Sequence, residues 1–284
     1  MRANPFLSAL ITALFTLSNG PALAQTKAAP SAAQPSLTFA VAEGVSDTLD
    51  ATALLNKYRP LAQALGKAIG RDVIVVPVRS FEALEQGMKK DEYDIVNGRP
   101  SDYMGRAVRD YGYSLVVTAK PDYQCVFLVE KSSSLKKIED IKGKLISDPG
   151  KGAFVTHFCN AELRDHGIDV KNEQVKHAAD QPSVGWTVEN KLADVGFVGS
   201  LTSIAKNWEK KGHRILHKTA PQPFFPIIAS KRIPADQVAK MQKALAELNT
   251  SEDGKKVLSS IGIDGYNIES KERLLNLVKW LEKT

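Results

Sequence analysis

The chain has 284 residues, 43% of them hydrophobic and 25% charged, with a formal net charge of +6. That is the composition of an ordinary soluble globular protein, long enough for one large domain or two lobes, and it excludes wholesale disorder. The positive charge is spread along the chain without a run of five like charges or a basic stretch interleaved with aromatics. This argues against a nucleic-acid partner and leaves a mild long-range attraction for small anions.

Arg2, the apolar run from Phe6 to Leu17 and the small-residue site Pro21-Ala22-Leu23-Ala24 predict an export signal over 1–24, cut after Ala24. Residues 25–36, rich in Ala, Pro and Gln, read as a flexible leader. No cysteine stands at the expected new N-terminus, Gln25, and no later apolar run reaches the roughly 20 residues that span a bilayer. The expectation is a soluble periplasmic protein without a lipid anchor.

From Leu37 the chain alternates strand and helix. Leu37 to Ala42 reads as a strand, and Leu54, Tyr58, Leu61, Leu65 and Ile69 recur at helical spacing until Gly70. Val73 to Val78 is a continuous β-branched run, expected to be covered on both faces. Ser80 caps the next helix, and Asp94-Ile95-Val96 is a short strand followed by a helix. Such alternation predicts a parallel α/β sheet.

Tyr113 to Thr118 and Gln124 to Val129 are two strands with only Ala119 to Tyr123 between them, too short for a helical crossover. A fresh α/β series follows. Its centre is Lys144 to Gly167: a strand at Leu145-Ile146, the loop Ser147-Asp148-Pro149-Gly150-Lys151-Gly152, and a helix opening near Ala153 with Val155, Phe158, Cys159 and Leu163 on one side. A helix start presents unpaired N–H groups and the positive end of the macrodipole, so this loop is the candidate anion site. Gly150 and Gly152 permit close backbone approach, and Lys151 adds a charge. Further strands are expected at Gln174–Lys176, Val195–Val198, Arg214–His217 and Phe224–Ala229, with helices from Ser183 to Leu192 and from Leu201 to Lys210. The last third reads as helical.

Tyr58-Arg59-Pro60-Leu61, Ser80-Phe81-Glu82-Ala83-Leu84, Tyr93-Asp94-Ile95, Tyr103, Tyr123 to Val129, Leu135 to Lys144 and Asp148-Pro149-Gly150 occur in an order and spacing that resembles the periplasmic solute-binding proteins of phosphonate and phosphite ABC transporters. The resemblance covers nearly the whole mature chain. It implies an α/β, two-lobed periplasmic binding protein of type 2, each lobe a mostly parallel sheet flanked by helices, joined by two hinge strands. Lobe 1 would be 37–122 plus 222–284, and lobe 2 would be 123–221. It further implies a monomer without catalysis or cofactor, capturing a small oxyanion for an ABC permease.

The resemblance also suggests binding residues. Tyr123 and Phe81 match aromatics that line the family's cleft, and Arg99 and Ser101 lie where the family supplies backbone contacts. Where phosphonate binders carry Ser-Thr-Ser-Gly, this chain has Lys151-Gly152-Ala153-Phe154, losing the hydroxyls but keeping the amides. Pro182 and Phe225 fall where carboxylates are expected, and Gln181 where a histidine is expected, which argues against a zwitterionic aminophosphonate.

Cys125 stands where the family has serine, two residues after the cleft tyrosine, and three readings stay open: a disulfide with Cys159, a ligand thiol, or a buried inert cysteine. A cleft thiol would suit arsenite, as in relatives that sense it through a cysteine, and makes an oxyanion sensor partnering a membrane histidine kinase the alternative. A thiol enzyme pairing Cys125 with His157 is a minor third reading. His157 and Cys159 point in different directions, His213 and His217 flank a strand at the surface, and no zinc spacing, phosphate loop or nucleophile elbow is present, so no metal is expected.

Overall fold

The computed structural model describes residues 35–43 and 50–283; the expected export signal and the leader as far as Gln34 lie outside the described residues. In chain order the first elements are β1 (Leu37–Ala42), α1 (Ala51–Ile69), β2 (Val73–Pro77), α2 (Phe81–Lys89), β3 (Ile95–Gly98), α3 (Ser101–Asp110), β4 (Ser114–Tyr123) and β5 (Cys125–Val129). There follow β6 (Leu145–Asp148), α4 (Phe154–Asp165), β7 (Gln174–His177), α5 (Gln181–Glu189), β8 (Val195–Gly199), α6 (Ser203–Asn207) and β9 (Arg214–Lys218). The chain closes with β10 (Gln222–Ala229), α7 (Ala235–Ala246), α8 (Glu252–Ile261), β11 (Gly265–Asn267) and α9 (Lys271–Leu281).

The strands form a six-stranded sheet, β11-β4-β10-β3-β1-β2, and a five-stranded sheet, β7-β6-β8-β5-β9. Both are mixed rather than mostly parallel. β1 pairs in parallel with β2 and β3, and β6 with β7 and β8, because a helix intervenes each time. β4, β5, β9, β10 and β11 run antiparallel to the strands they pair with; of these, β5 and β10 are reached directly from the preceding strand without a helix.

Only Gln124 separates β4 from β5, and the chain returns between β9 and β10. β4 runs unbroken through Ala119–Tyr123, where a break is expected from the sequence; Pro121 is tolerated because the residues there pair at intervals, Lys120 with Gly265 and Tyr123 with Gln222. The two crossing segments therefore lie side by side.

Core and edges follow the sequence pattern with one inversion. Phe39, Ile95, Leu61, Leu65, Ile227 and Ile228 are fully buried in the first sheet's core, and Phe127, Phe197, Ile146 and Phe158 in the second. α1 buries its Leu54-Tyr58-Leu61-Leu65 stripe and is bounded by Asp50, whose carboxylate accepts from the Thr52 amide, and by Gly70 at φ 69°. The β-branched run of β2 belongs to an edge strand instead: Val75 alone is buried and Ile74 is 55% exposed. β propensity marks a strand but not its place in the sheet. The helix expected over Leu201–Lys210 is divided into α6 and a 3-10 turn at Glu209–Lys211.

Candidate ligand-binding cleft

A cavity of about 730 Å³ opens where the two sheets face each other. The first sheet's side supplies Glu43 just after β1, Lys57 on α1, Phe81 at the start of α2, and Arg99 and Pro100 after β3. The second contributes Pro149, Gly150, Gly152 and Ala153 between β6 and α4, Phe154 and Val155 at the start of α4, Gln181 at the start of α5, and Leu201 and Thr202 after β8. Tyr123, Phe224 and Phe225 come from the crossing strands. Both groups sit beyond the carboxyl ends of parallel strands, the place where open α/β sheets bind ligands.

The loop into α4 is shaped to present amides. Gly150, at φ 91°, donates its N–H to the Asp148 carboxylate (2.9 Å), and the Thr156 hydroxyl donates to the Gly150 carbonyl (2.7 Å). Asp148 is buried and also meets His177 Nδ1 at 2.6 Å, which holds the loop from behind. Ala153 is the N-cap of α4 and has no side chain able to cap it. The N–H groups of Gly152, Phe154 and Val155 make no hydrogen bond with any described residue, and all three residues line the cavity. Oriented N–H donors at a helix start are an anion site. α2 and α5, which also start at the cavity, are capped by Ser80 and Asp180.

Opposite this loop stands a charged cluster. The Glu43 carboxylate accepts from Lys57 Nζ (2.6 and 2.8 Å) and from the Tyr58 hydroxyl, with Arg99 3.7 Å away. Burial alone would raise the Glu43 pKa. The hydrogen bonds from Lys57 and Tyr58 and the charges of Arg99 and Lys57 outweigh it and hold the carboxyl below its ordinary range. Two cations against one carboxylate leave the cluster net positive.

The hinge side is aromatic. Tyr123 stacks on Phe224 with ring centroids 4.6 Å apart and touches Phe154 and Phe158 at 5.9 Å. Burial pushes the Tyr123 hydroxyl pKa far up, so it remains a neutral donor. Phe225 adopts φ 52°, a rare conformation for a bulky residue, where β10 is irregular against β4. Asn97 Nδ2 supports that bulge by donating to the Pro226 carbonyl (2.9 Å), and the Arg99 guanidinium lies 5.8 Å from the Phe225 ring centroid.

A family model for the periplasmic substrate-binding protein of phosphonate ABC transporters matches residues 44–274. The chain belongs to that family. No curated protein gives a significant match. Among solved structures, XAC2383 from Xanthomonas citri bound to chloride superposes with a TM-score of 0.69 at 14% identity, covering 87% of this chain and 97% of that one. PhnD1 from Prochlorococcus marinus in complex with methylphosphonate gives 0.63 at 13% identity, covering 86% and 96%. A phosphonate-transporter binding protein from Pseudomonas aeruginosa gives 0.56 at 17% identity, covering 88% and 86%. At such identities the superpositions speak for the fold, that of the type 2 periplasmic binding proteins. The family is one of solute-binding proteins that take a small ligand in the periplasm and serve an ABC permease. Among the described residues no helix is long and apolar enough to cross a membrane.

In this phosphonate-binding family member, Phe81, Arg99, Tyr123, Gly152, Ala153 and Gln181 of the residues expected from the sequence line the cavity together. The Gln181 side-chain oxygen accepts from the Gly199 amide (2.6 Å), which ties it to the end of β8. Phe225 lines the cavity too, whereas Pro182 and Trp186 do not, Trp186 being 58% exposed.

Three expected ligand residues stand elsewhere. Ser101 is fully buried under the start of α3, away from the cavity lining. Lys151 is exposed and outside the lining; it engages the loop through its carbonyl, which lies 2.9 Å from His157 Nε2. Cys125 is joined to Cys159 with their Cα atoms 5.5 Å apart, and its side chain is wholly buried. No free thiol faces the cleft, which removes the feature on which the arsenite-sensor and thiol-enzyme readings depend. Lines of sequence gave no sign of Glu43 and Lys57, because a charged residue after a strand and another on a helix meet only once the fold brings them together.

Proposed function

We propose that the protein captures a small oxyanion between two lobes and releases it to its ABC permease, the lobes being 37–122 with 222–284 and 123–221. The single observation that carries this is the uncapped start of α4, where Gly152, Phe154 and Val155, whose N–H groups have no partner among the described residues, line a cavity that also holds Lys57 and Arg99. The separate sheets and the two adjacent crossings support a hinge. Closure would be driven by tighter binding in the closed form, in which both walls reach the ligand. Tyr123 contributes a hydroxyl. Phe81, Phe154, Phe224 and Phe225 give the cleft room for an apolar substituent on the anion. In this reading the cleft only binds, and the protein acts as a carrier rather than an enzyme, exported by residues 1–24.

A thermal-shift and calorimetric screen of the mature protein against phosphite, phosphate, methylphosphonate, 2-aminoethylphosphonate and sulfate tests the reading. A ligand at a hundredfold excess over its Kd adds about 2.7 kcal/mol of stability, readily seen as a rise in Tm. Stabilisation by one of the simple oxyanions, greater than that by the aminophosphonate, is expected. Failure of all of them to bind contradicts the proposal.

A further inference from the structure

Away from the cleft, Glu162 on α4, His166 at the C-terminal cap of that helix and His217 on β9 bring one potential ligand atom each to within 4.8 Å of one another. His217 Nε2 lies 2.6 Å and His166 Nε2 3.6 Å from the same Glu162 oxygen. Four-coordinate zinc, with ligands at about 2.0–2.1 Å, sets its donors about 3.3 Å apart, so the three atoms need only small adjustments to share one ion. All three side chains are half-buried, with 16, 32 and 26% of the side chain exposed, leaving an entry path.

We infer that Glu162, His166 and His217 form a binding site for a divalent transition-metal ion, zinc above all. Two imidazoles and a carboxylate are borderline-soft donors that suit zinc rather than magnesium or calcium. The surroundings fit. Glu139 accepts a hydrogen bond from His166 Nδ1 at 2.9 Å, so that nitrogen carries the proton and the lone pair of the neutral ring lies on Nε2, facing the cluster. His217 would offer the Nε2 lone pair to the ion, with the proton of the neutral ring on Nδ1, and water would fill the fourth position. A cation here also sits at the negative end of the α4 macrodipole. Cys159, Glu162 and His166 follow one another along one side of α4, so the disulfide to β5 and the metal bridge to β9 would anchor the same helix face, the helix whose other end holds the anion amides.

The test is a Zn²⁺ titration of the intact mature protein by calorimetry, with Co²⁺ absorption as a second readout of coordination. The wild type should take up about one equivalent at this site and show visible cobalt bands from mixed nitrogen and oxygen ligation. His217→Ala and Glu162→Gln should abolish that uptake while leaving oxyanion binding intact, since neither residue lines the cleft. Glu139→Ala should keep the stoichiometry but weaken affinity by about 10–100-fold, a loss that two mere surface ion pairs would not produce. Should Glu162→Gln fold poorly, the half-exposed His217→Ala and His166→Ala variants carry the comparison. Absence of zinc uptake by the wild type, or equal uptake by wild type and His166→Ala/His217→Ala, overturns the assignment.

Discussion

The ring of Tyr123 rests directly on Gly199: a Cβ built at Gly199 would stand 1.9 Å from the Tyr123 hydroxyl oxygen and 2.4 Å from the ring carbon that bears it. The absent side chain at the end of β8 is therefore what lets the first crossing strand lay its last residue into the cleft. Gly199→Ala should expel the ring, lowering stability by about 1–3 kcal/mol. Thermal unfolding would register this at about 2–4 °C per kcal/mol in a protein of this size. Because the defect is steric and pairwise, adding Tyr123→Ala to Gly199→Ala should cost less than the two single changes summed, which a double-mutant cycle measures.

At the start of α4, stability and binding should move in opposite directions. Ala153→Asp places a carboxylate at an N-cap that lacks one, and it should stabilise the helix by about 0.5–2 kcal/mol. That carboxylate occupies the amides the ligand requires and repels an anion. A rise in Tm without ligand, together with loss of anion binding in calorimetry, is the expected pair of results.

The Cys125–Cys159 bond joins β5 to α4 across a separation of 34 residues. By the loop-entropy model its removal costs about 3–4 kcal/mol. Denaturation of the Cys125→Ala/Cys159→Ala variant should show that loss, with anion affinity in the folded protein little altered because neither sulfur lines the cavity.

Glu43 sets the charge of the cleft. Glu43→Gln leaves Lys57 and Arg99 uncompensated, so anion affinity should rise by a few-fold, equivalent to about 1 kcal/mol at most in this partly solvated setting, and the gain should shrink in high salt. Stability should fall in the same variant. The sign with pH follows from the depressed carboxyl pKa: its contribution is complete above the ordinary glutamate value of 4.5 and is lost as pH falls through the lower folded value. Asp94 behaves likewise. Burial opposes its ionisation, but hydrogen bonds from the Thr38 amide, Arg232 and the Thr38 hydroxyl hold its pKa below 3.8. Stability of the wild type should therefore drop on acidification through and below pH 4, more than in a Glu43→Gln variant, as followed by denaturant midpoints.

What could be seen in the sequence divides along physical lines. The alternating strand and helix patterns from Leu37 to Val198 and the strand-loop-helix at Leu145 to Leu163 rest on local periodicity and turn chemistry, and they recur in the fold. β11 is three residues long, Gly-Tyr-Asn, too short to carry a period, and β2 has the composition of a buried strand while standing at an edge. Gly152 and Ala153, at a helix start that is a local feature of the sequence, line the cavity. Lys151, in the same loop, is exposed and outside the lining, and a charge in a loop carries no local pattern that says which way it faces. Glu43, Lys57 and the Glu162-His166-His217 cluster depend on contacts between distant segments, for which a single sequence has no local pattern.

The central claim is that the amides opening α4 hold the anion. Nitrogen-proton correlation spectra of the labelled protein, titrated with phosphate and with methylphosphonate, observe those groups directly. The account predicts saturable shifts of the Gly152, Phe154 and Val155 amide resonances in the wild type and none in Ala153→Asp. An anion that binds while those three resonances stay fixed would contradict it.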